Sequence, residues 1–276
     1  MSMRFRDSVI WVTGASSGIG EAVVRQLDAE GADIVLSSRA ADDLQTVGDG
    51  LSGVGEKLVL PFDITDEAGV SVAARTVLDR FGRIDVLFNN AGITQRARVV
   101  DTDLSVYRRV MDVNFFGPLM LTKAVLPSML DRGSGHIVCT TSVAGKYGSP
   151  MRSGYNAAKH AAHGFFDSLR EEVSASGIDV TLIVPGAVRT NVSINALRGD
   201  GSLYNRMDPF LEEGMSPEEC ARRIVDAIHA RRREVLIADG VARRHVILKR
   251  WSPALLSWTM RRRKAGRTTV PVGGST

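Results

Sequence analysis

Tyr155 and Lys159 are the pair of residues whose spacing suggests chemistry most directly. They lie four residues apart in Tyr155-Asn-Ala-Ala-Lys159, in a segment predicted to be helical, so their side chains share one face. A phenol is a poor base at neutral pH, but a nearby ammonium stabilises the phenolate and makes general acid/base catalysis efficient. The pair alone is weakly specific, because most such spacings occur on ordinary helix surfaces.

Ser142 follows the fifth predicted strand, at the sheet edge where open α/β proteins bind ligands. Its hydroxyl has the chemistry to hold a substrate oxygen. Serine is also common in turns, so a purely structural role is the alternative.

A glycine-rich turn, Thr13-Gly14-Ala-Ser-Ser-Gly18-Ile-Gly20, follows the first predicted strand and opens the first helix. Such a turn lets the backbone approach a pyrophosphate, which amide donors at the helix N-terminus then stabilise. The spacing is G-xxx-G-x-G and not the stricter G-x-G-x-x-G. A simple structural connection therefore remains an alternative for the turn taken by itself.

The end of the second predicted strand bears on the cofactor. An acid there would pair with the ribose 2′-hydroxyl of NAD, whereas an arginine accommodates the 2′-phosphate of NADP. The strand ends Ser37-Ser38-Arg39, and Asp42 and Asp43 come only later. NADP is therefore favoured over NAD, with an ordinary solvated Arg39 as the alternative.

Short β-branched runs alternate with segments of helical periodicity, which predicts parallel strands joined by crossover helices. Several runs lack polar/apolar alternation, as expected when helices cover both faces of the sheet. The fold class is therefore α/β, a single Rossmann-type, doubly wound, seven-stranded parallel sheet. The predicted strands are Val9–Thr13, Ile34–Ser37, Leu58–Leu60, Val86–Asn89, His136–Thr141, Val180–Val184 and Val235–Ile237.

We expect a catalytic domain over residues 1–240 and a basic amphipathic extension over 241–276 that ends in a frayed segment, 268–276. Within the domain, the apolar and aperiodic loop 191–215 is predicted to be a lid. A helix should begin after it, since Ser216-Pro217 supplies a cap and a first-turn proline.

Composition excludes several classes of protein. Among 276 residues, 44% are hydrophobic and 24% charged, as in soluble globular domains. No run reaches the roughly 18 apolar residues of a membrane span, and no secretory signal is recognisable. Only two cysteines occur, so a cytoplasmic location is expected. His160 and His163 lack further ligands, and we expect no metal.

The net charge of +4 invites a nucleic-acid interpretation. The arginines concentrate late in the chain, however, so the excess belongs to the extension and we expect no nucleic-acid partner. Residues 243–267 interleave tryptophans and aliphatic residues with arginines. This pattern fits peripheral contact with a membrane, but packing on the body or on a partner subunit is favoured.

Taken together and in order, these motifs resemble those of the short-chain dehydrogenase/reductase family. The resemblance covers roughly residues 7–237 and is far more specific than any single motif. It rests on Thr13–Gly20, Asp63, Asn89-Asn90-Ala91-Gly92, Asn114, Ser142, Tyr155, Lys159, Pro185-Gly186 and Thr190.

The resemblance implies a role for each residue. Tyr155 would be the catalytic acid/base, Lys159 its electrostatic partner and a ribose ligand, Ser142 the substrate-orienting hydroxyl, and Asn114 the holder of a relay water. Asp63 would bind adenine, Asn90 would lie beside the adenosine ribose and Thr190 near the carboxamide. The full cofactor-binding set predicted is Gly14, Ser16, Ser17, Gly18, Ile19, Gly20, Ser38, Arg39, Asp63, Asn90, Ala91, Gly92, Tyr155, Lys159, Pro185, Gly186, Val188 and Thr190.

The predicted function is NADP-dependent interconversion of a carbonyl and a secondary alcohol, on an apolar substrate such as a lipid or steroid ketone. The substrate class rests only on the apolar loop 191–215. The alternative is a catalytically silent nucleotide-binding regulator or membrane-associated scaffold on the same fold. The family resemblance also implies a homodimer or homotetramer.

Overall fold

The computed structural model describes residues 3–265, with side chains through residue 262. Its strands are β1 (Val9–Thr13), β2 (Asp33–Ser37), β3 (Lys57–Val59), β4 (Val86–Asn89), β5 (Gly135–Thr140), β6 (Ile178–Pro185) and β7 (Glu234–Ile237). They form one seven-stranded sheet in the order β3-β2-β1-β4-β5-β6-β7. Every neighbouring pair is parallel. The predicted doubly wound sheet is therefore confirmed.

Each predicted strand run coincides with an observed strand to within a few residues. The largest difference is β6, which begins at Ile178 and continues to Pro185. All five residues of β1 and all six of β5 are buried. Burial on both faces explains why these strands show no polar/apolar alternation.

The helices are α1 (Gly18–Ala29), α2 (Ala41–Asp49), α3 (Glu67–Phe81), α4 (Leu104–Met111), α5 (Gly117–Arg132), α6 (Ser153–Glu172), α7 (Pro209–Glu212), α8 (Pro217–His229), α9 (Gly240–Trp251) and α10 (Pro253–Ala265). Apolar side chains of α1, α2 and α8 cover one face of the sheet. Those of α3, α5 and α6 cover the other. The two layers create the double-sided core that the alternating pattern requires.

The predicted start of a helix after Ser216 is confirmed. Helix α8 begins at Pro217, and the Ser216 side chain accepts a hydrogen bond from the Glu219 amide at 3.1 Å. In the extension, Ser252 separates α9 from α10 just before Pro253. The predicted frayed end, 268–276, lies outside the described residues.

One helical run, Leu104–Arg132, has the length and mean hydropathy of a membrane span, although the sequence has no run of 18 apolar residues. Of its most apolar window, 44% is buried inside the protein. Val106, Val110, Leu121, Val125 and Met129 are all buried there. These side chains of the run pack into the core of the domain.

Candidate active site

A cleft of about 740 Å³ opens at the carboxyl ends of the strands, beside the glycine-rich turn. This is the edge at which open α/β sheets bind ligands. The four predicted catalytic residues Asn114, Ser142, Tyr155 and Lys159 all line it. So do the predicted cofactor residues Gly14, Ser16, Ser17, Gly18, Ile19, Ser38, Arg39, Asn90, Ala91, Gly92, Pro185, Gly186, Val188 and Thr190. Gly20 and Asp63 do not line the cleft themselves, but each contacts a residue that does: Gly20 packs against Gly14, and Asp63 pairs with Arg39.

The glycine-rich turn has room for backbone only. Gly14 and Gly18 have φ angles of +65° and +58°, a conformation that glycine adopts readily. A Cβ atom on Gly14 would lie 2.8 Å from the Cα of Ala91. A Cβ atom on Gly20 would lie 2.1 Å from the carbonyl oxygen of Gly14. The turn therefore fits a group that must approach the main chain closely, such as a pyrophosphate at the start of α1.

Thr13 and Asn90 tie this turn to the central strands. The Thr13 hydroxyl oxygen accepts from the amides of Asn90 and Ala91 at 3.0 and 3.1 Å. The Asn90 side chain donates to the carbonyl of Thr13 at 3.2 Å and accepts from the Thr140 hydroxyl at 3.1 Å. The ends of β1, β4 and β5 are thereby held together, and the cleft floor is rigid.

Arg39 and Asp63 face each other at the far end of the cleft, where the Arg39 Nη1 lies 3.8 Å from an Asp63 oxygen. Burial raises the pKa of Asp63, but hydrogen bonds from the Thr65 amide and hydroxyl and the charges of Arg39 and Arg109 outweigh it, so the pKa is lowered. Asp63 is therefore a carboxylate at neutral pH. Arg109 and Asp43 also line this end, and neither was predicted.

Helix α6 brings Tyr155 and Lys159 to the middle of the cleft. Lys159 is 3% exposed, and its ammonium donates to the Thr140 carbonyl at 2.8 Å. The same Nζ lies 5.7 Å from the centre of the Tyr155 ring. One hydrogen bond thus fixes a buried positive charge beside the phenol.

Ser142 stands beside this pair, between β5 and the turn that follows it. Its side chain is largely buried, and its oxygen accepts from the Ala144 amide at 3.1 Å. Its hydroxyl has only a long contact, 3.5 Å, to the Pro185 carbonyl. The hydroxyl proton therefore has a weak partner that a substrate oxygen could replace.

Asn114 lies in a π-helical turn, Asp112–Phe116, that joins α4 to α5. Turns of this kind are rare and frequently occur at functional sites. The Asn114 amide donates to the carbonyls of Ile93 and Val110 at 2.8 and 2.9 Å. Its side-chain oxygen is buried and has no hydrogen-bond partner among residues 3–262. The cleft wall therefore offers an unused acceptor near Lys159.

The predicted lid, residues 191–215, lies over the other end of the cleft. Asn191, Val192, Asn195, Leu197, Leu203 and Leu211 line the cavity from this segment. Backbone bonds fasten it: the Leu197 amide donates to the Thr94 carbonyl at 2.9 Å, and the Arg96 amide to the Leu197 carbonyl at 2.8 Å. The segment also contains the short helix α7, which its aperiodic pattern did not predict.

Arg152 is the most important cleft residue that the sequence analysis did not predict. It lines the cavity three residues before Tyr155. Burial lowers the pKa of its guanidinium, against the smaller opposing effects of Tyr155 and Tyr147. The sequence held one signal, an arginine near the predicted N-terminus of α6, where a positive charge is electrostatically unfavourable.

The remaining reactive side chains take no part in the cleft. Burial raises the pKa of both Cys139 and Cys220 to about 12. Burial also lowers the pKa of His163 to about 4, so this imidazole is neutral. Within the described part of the chain, no group of three or more His, Cys, Asp or Glu residues could hold a metal ion.

Comparison with known proteins gives a consistent result. The family model described as short chain dehydrogenase matches residues 8–200. A relative from Xenopus tropicalis, dehydrogenase/reductase SDR family member 7B, is 43% identical over 257 residues, covering 91% of this chain and 83% of that protein.

Two solved structures resemble the chain in fold. An alcohol dehydrogenase from Thermococcus sibiricus, complexed with 5-hydroxy-NADP, has a TM-score of 0.73 at 26% identity, covering 83% of this chain and 95% of its own. A short chain dehydrogenase/reductase from Burkholderia phymatum, in complex with NAD, has a TM-score of 0.78 at 23% identity, covering 98% and 99%. The two contain different nicotinamide cofactors, so they do not choose between NAD and NADP.

Proposed function

The chain belongs to the short-chain dehydrogenase/reductase family of NAD(P)-dependent oxidoreductases, and from this premise we propose that it uses NADP(H) to interconvert a carbonyl and a secondary alcohol on an apolar substrate. The observation that carries the proposal is the convergence of Ser142, Tyr155 and Lys159 in one cleft with a turn that admits a pyrophosphate. A regulator that only bound a nucleotide would not need these three side chains in the same cleft.

The bound nicotinamide would supply or accept the hydride. Ser142 and Tyr155 would hold the substrate oxygen, and the Tyr155 hydroxyl would give up its proton as alkoxide character develops. The Lys159 ammonium, fixed by the Thr140 carbonyl, would stabilise the resulting phenolate. The free oxygen of Asn114 would hold a water that returns a proton towards Lys159.

The same cleft supplies residues to hold the nucleotide. The turn from Gly14 to Gly20 would take the pyrophosphate, Asn90 to Gly92 the adenosine ribose, and Lys159 the nicotinamide ribose. The nicotinamide and its carboxamide would contact Pro185, Gly186, Val188 and Thr190, which line the same cleft. Asp63, which lies 3.8 Å from Arg39, would bind the adenine.

The preference for NADP rests on charge. Arg39 is half-exposed at the rim and makes one long contact to Asp63, so its guanidinium is available to a phosphate. Arg109 adds a second cation on the same rim. Asp43 opposes them, but it faces the cleft from the exposed first turn of α2, where solvent screens its charge.

The apolar substrate follows from the lid. Val192, Leu197, Leu203 and Leu211 contribute aliphatic surface to the cavity. Sites of this kind bind the apolar body of a ligand and leave orientation to a few polar groups. A hydrophobic ketone or alcohol fits this lining better than a small polar one.

The location and assembly are proposed as cytoplasmic and homo-oligomeric, with peripheral contact at a membrane through the extension, residues 241–276. No Asp or Glu occurs after Asp239, whereas nine Lys and Arg residues do. On α9 and α10, Trp251 is 79% exposed and Trp258 is 49% exposed. Exposed tryptophans among unopposed cations suit an anionic lipid surface.

Vesicle sedimentation tests this contact. The protein should bind vesicles that contain a quarter phosphatidylglycerol, release them at high salt, and lose binding in a Trp251→Ser/Trp258→Ser variant. Binding to neutral vesicles alone, or none, would assign the two helices to subunit packing, which light scattering of the same samples would detect as a larger assembly.

Titration with NADPH and NADH, followed by turnover of a panel of ketones, tests the proposed function. Binding of NADPH together with turnover of long-chain ketones is the expected result. Nucleotide binding without turnover of any ketone or alcohol would favour the alternative, a catalytically silent regulator on the same fold. Failure to bind either nucleotide would remove the enzyme proposal.

A further inference from the structure

Two buried arginines converge on one carboxylate beside the substrate end of the cleft. Asp208, in the lid, forms ion pairs through one oxygen with Arg96 and with Arg152, the latter at 3.0 Å. The side chains of both arginines are 19% exposed and that of Asp208 is 16% exposed. The three groups form a single charge cluster, called here the Arg96–Asp208–Arg152 cluster.

The cluster has a net charge of +1, because two guanidinium groups share one carboxylate. Among the described residues, Asp208 is the only carboxylate within 4.0 Å of either guanidinium. Burial and the charge of Arg152 lower the pKa of Arg96 to about 10, and burial also lowers the pKa of Arg152. Because a guanidinium is such a weak acid, arginine keeps its charge in proteins. The Nε atom of Arg96 is buried with no hydrogen-bond acceptor among residues 3–262. Unbalanced buried charge is costly, and a second anion would relieve it.

The position of Arg152 in the cleft indicates that this second anion belongs to the substrate. Arg152 lines the catalytic cleft together with Tyr155, and Arg96 and Asp208 stand behind it. Asp208 itself is held by the lid, since its other oxygen accepts from the Phe210 amide at 3.1 Å and its own amide donates to Ser193 at 3.1 Å. Of the three residues, Arg152 is therefore the one that reaches the cleft.

We propose that Arg152, supported by Arg96, is a subsite for an anionic group on the substrate, a carboxylate or a phosphate. This inference rests on the proposed function and narrows its substrate to an apolar ketone or alcohol that carries such a group. Arginine presents a planar pair of donors that matches either anion. Asp208 competes with the substrate anion for Arg152. Until that anion binds, the Asp208 carboxylate neutralises one of the two guanidinium charges and holds the lid.

A purely structural cluster makes the opposite prediction for Asp208. If the three residues only fasten the lid, removing the carboxylate should loosen the cleft and weaken every ligand. If Arg152 is an anion subsite, Asp208→Asn should free both guanidinium groups and strengthen the binding of anions. The two explanations therefore differ in the sign of one measured change.

The experiment measures binding and does not depend on turnover. Decyl phosphate, decanoate and decanol are titrated calorimetrically into the protein, with and without saturating NADP, which blocks the phosphate sites of the glycine turn. Inorganic phosphate alone is a fourth titrant that reports on the anion without the chain. The variants are Arg152→Gln, Arg152→Lys and Asp208→Asn, with exposed Arg108→Gln on α4 as the matched control for loss of one positive charge.

In the wild type, at least one of the two anions should bind roughly tenfold or more tightly than decanol, as a hydrogen bond to a charged group predicts. The tighter of the two identifies the class, carboxylate or phosphate. Arg152→Gln should lose this preference, Arg152→Lys should keep part of it, Asp208→Asn should increase it, and Arg108→Gln should leave it unchanged. Thermal melts establish that each variant is folded.

Equal affinity for decanol and both anions in the wild type, or an unchanged preference in folded Arg152→Gln, would overturn the subsite. Weaker anion binding in Asp208→Asn would assign the cluster to lid fastening. The binding constants are measured on the nucleotide-free protein as well as on the NADP-saturated protein. They therefore test the anion subsite whether or not the protein turns over a ketone.

Discussion

A methyl group added at Gly20 should weaken nucleotide binding without unfolding the protein. The Cβ atom of Gly20→Ala would lie 2.1 Å from the Gly14 carbonyl oxygen, 2.8 Å from its carbon and 2.7 Å from the Asn90 side-chain nitrogen. Two of these three atoms are main chain in the turn proposed to hold the pyrophosphate. The overlap is relieved only if the turn moves.

The size of the effect follows from the cost of overpacking, about 1–3 kcal/mol. If the displaced turn loses that much in holding a pyrophosphate, the dissociation constant rises by roughly 5- to 150-fold. Fluorescence titration with NADPH and with NADH should show the same factor for both, because the pyrophosphate is common to them. The variant should remain folded, with its melting temperature lowered by roughly 2–12 °C if the same cost falls on stability.

Gly164→Ala is the matched control, since a Cβ atom at Gly164 on α6 meets nothing within 4 Å. This change should leave nucleotide affinity unchanged and stabilise the helix by up to about 1 kcal/mol. Wild-type affinity for both nucleotides in folded Gly20→Ala would refute the assignment of the glycine turn to the pyrophosphate.

The remaining predictions concern the rim, the buried lysine and the response to acid. Arg39→Ala should weaken NADPH roughly tenfold or more and NADH little, by loss of a charge-assisted contact; equal weakening of both in paired titrations would contradict the role of Arg39. Lys159→Met should lower kcat far more than it alters the melting temperature; normal turnover would show that its charge does not support Tyr155. Burial lowers the pKa of His136 to about 4, below the unfolded value near 6.5. Its contribution to stability is therefore complete above pH 6.5 and is lost as the pH falls towards 4, by up to about 3 kcal/mol. Urea unfolding at pH 7.5 and 4.5 should show a smaller loss in His136→Gln than in the wild type, and an identical loss in both would remove His136 as a cause.

The fold was predictable because its signals are local and repeated. Runs such as Val86–Asn89 are short and largely apolar, and successive runs are separated by one or two helices. The Ser216-Pro217 start of α8 depends only on a cap and its neighbours. Seven strands spaced in this way admit few arrangements other than a doubly wound parallel sheet.

The substrate end of the cleft was less predictable because it is built from tertiary contacts. Arg152 and Asp208 are 56 residues apart, and no periodicity relates them. Arg109 on α4 and Arg39 after β2 are 70 residues apart in sequence, yet both line the cleft and both lower the pKa of Asp63. The short helix α7 begins with an aspartate cap and a proline, a local signal that the apolar content of the loop obscured. Sequence motifs therefore predicted the residues proposed to be catalytic. The charged residues at the substrate end of the cleft became visible only in the fold.

The most direct test of the central claim is the single-turnover rate of Tyr155→Phe with a ketone that the wild type reduces, measured beside the affinity for NADPH. The variant keeps the ring against Lys159 and removes only the hydroxyl. We predict a rate lower by roughly 10²-fold or more, the usual contribution of a positioned general acid, with NADPH affinity close to that of the wild type. A variant that reduces the ketone at the wild-type rate would contradict Tyr155 as the proton donor and with it the proposed mechanism.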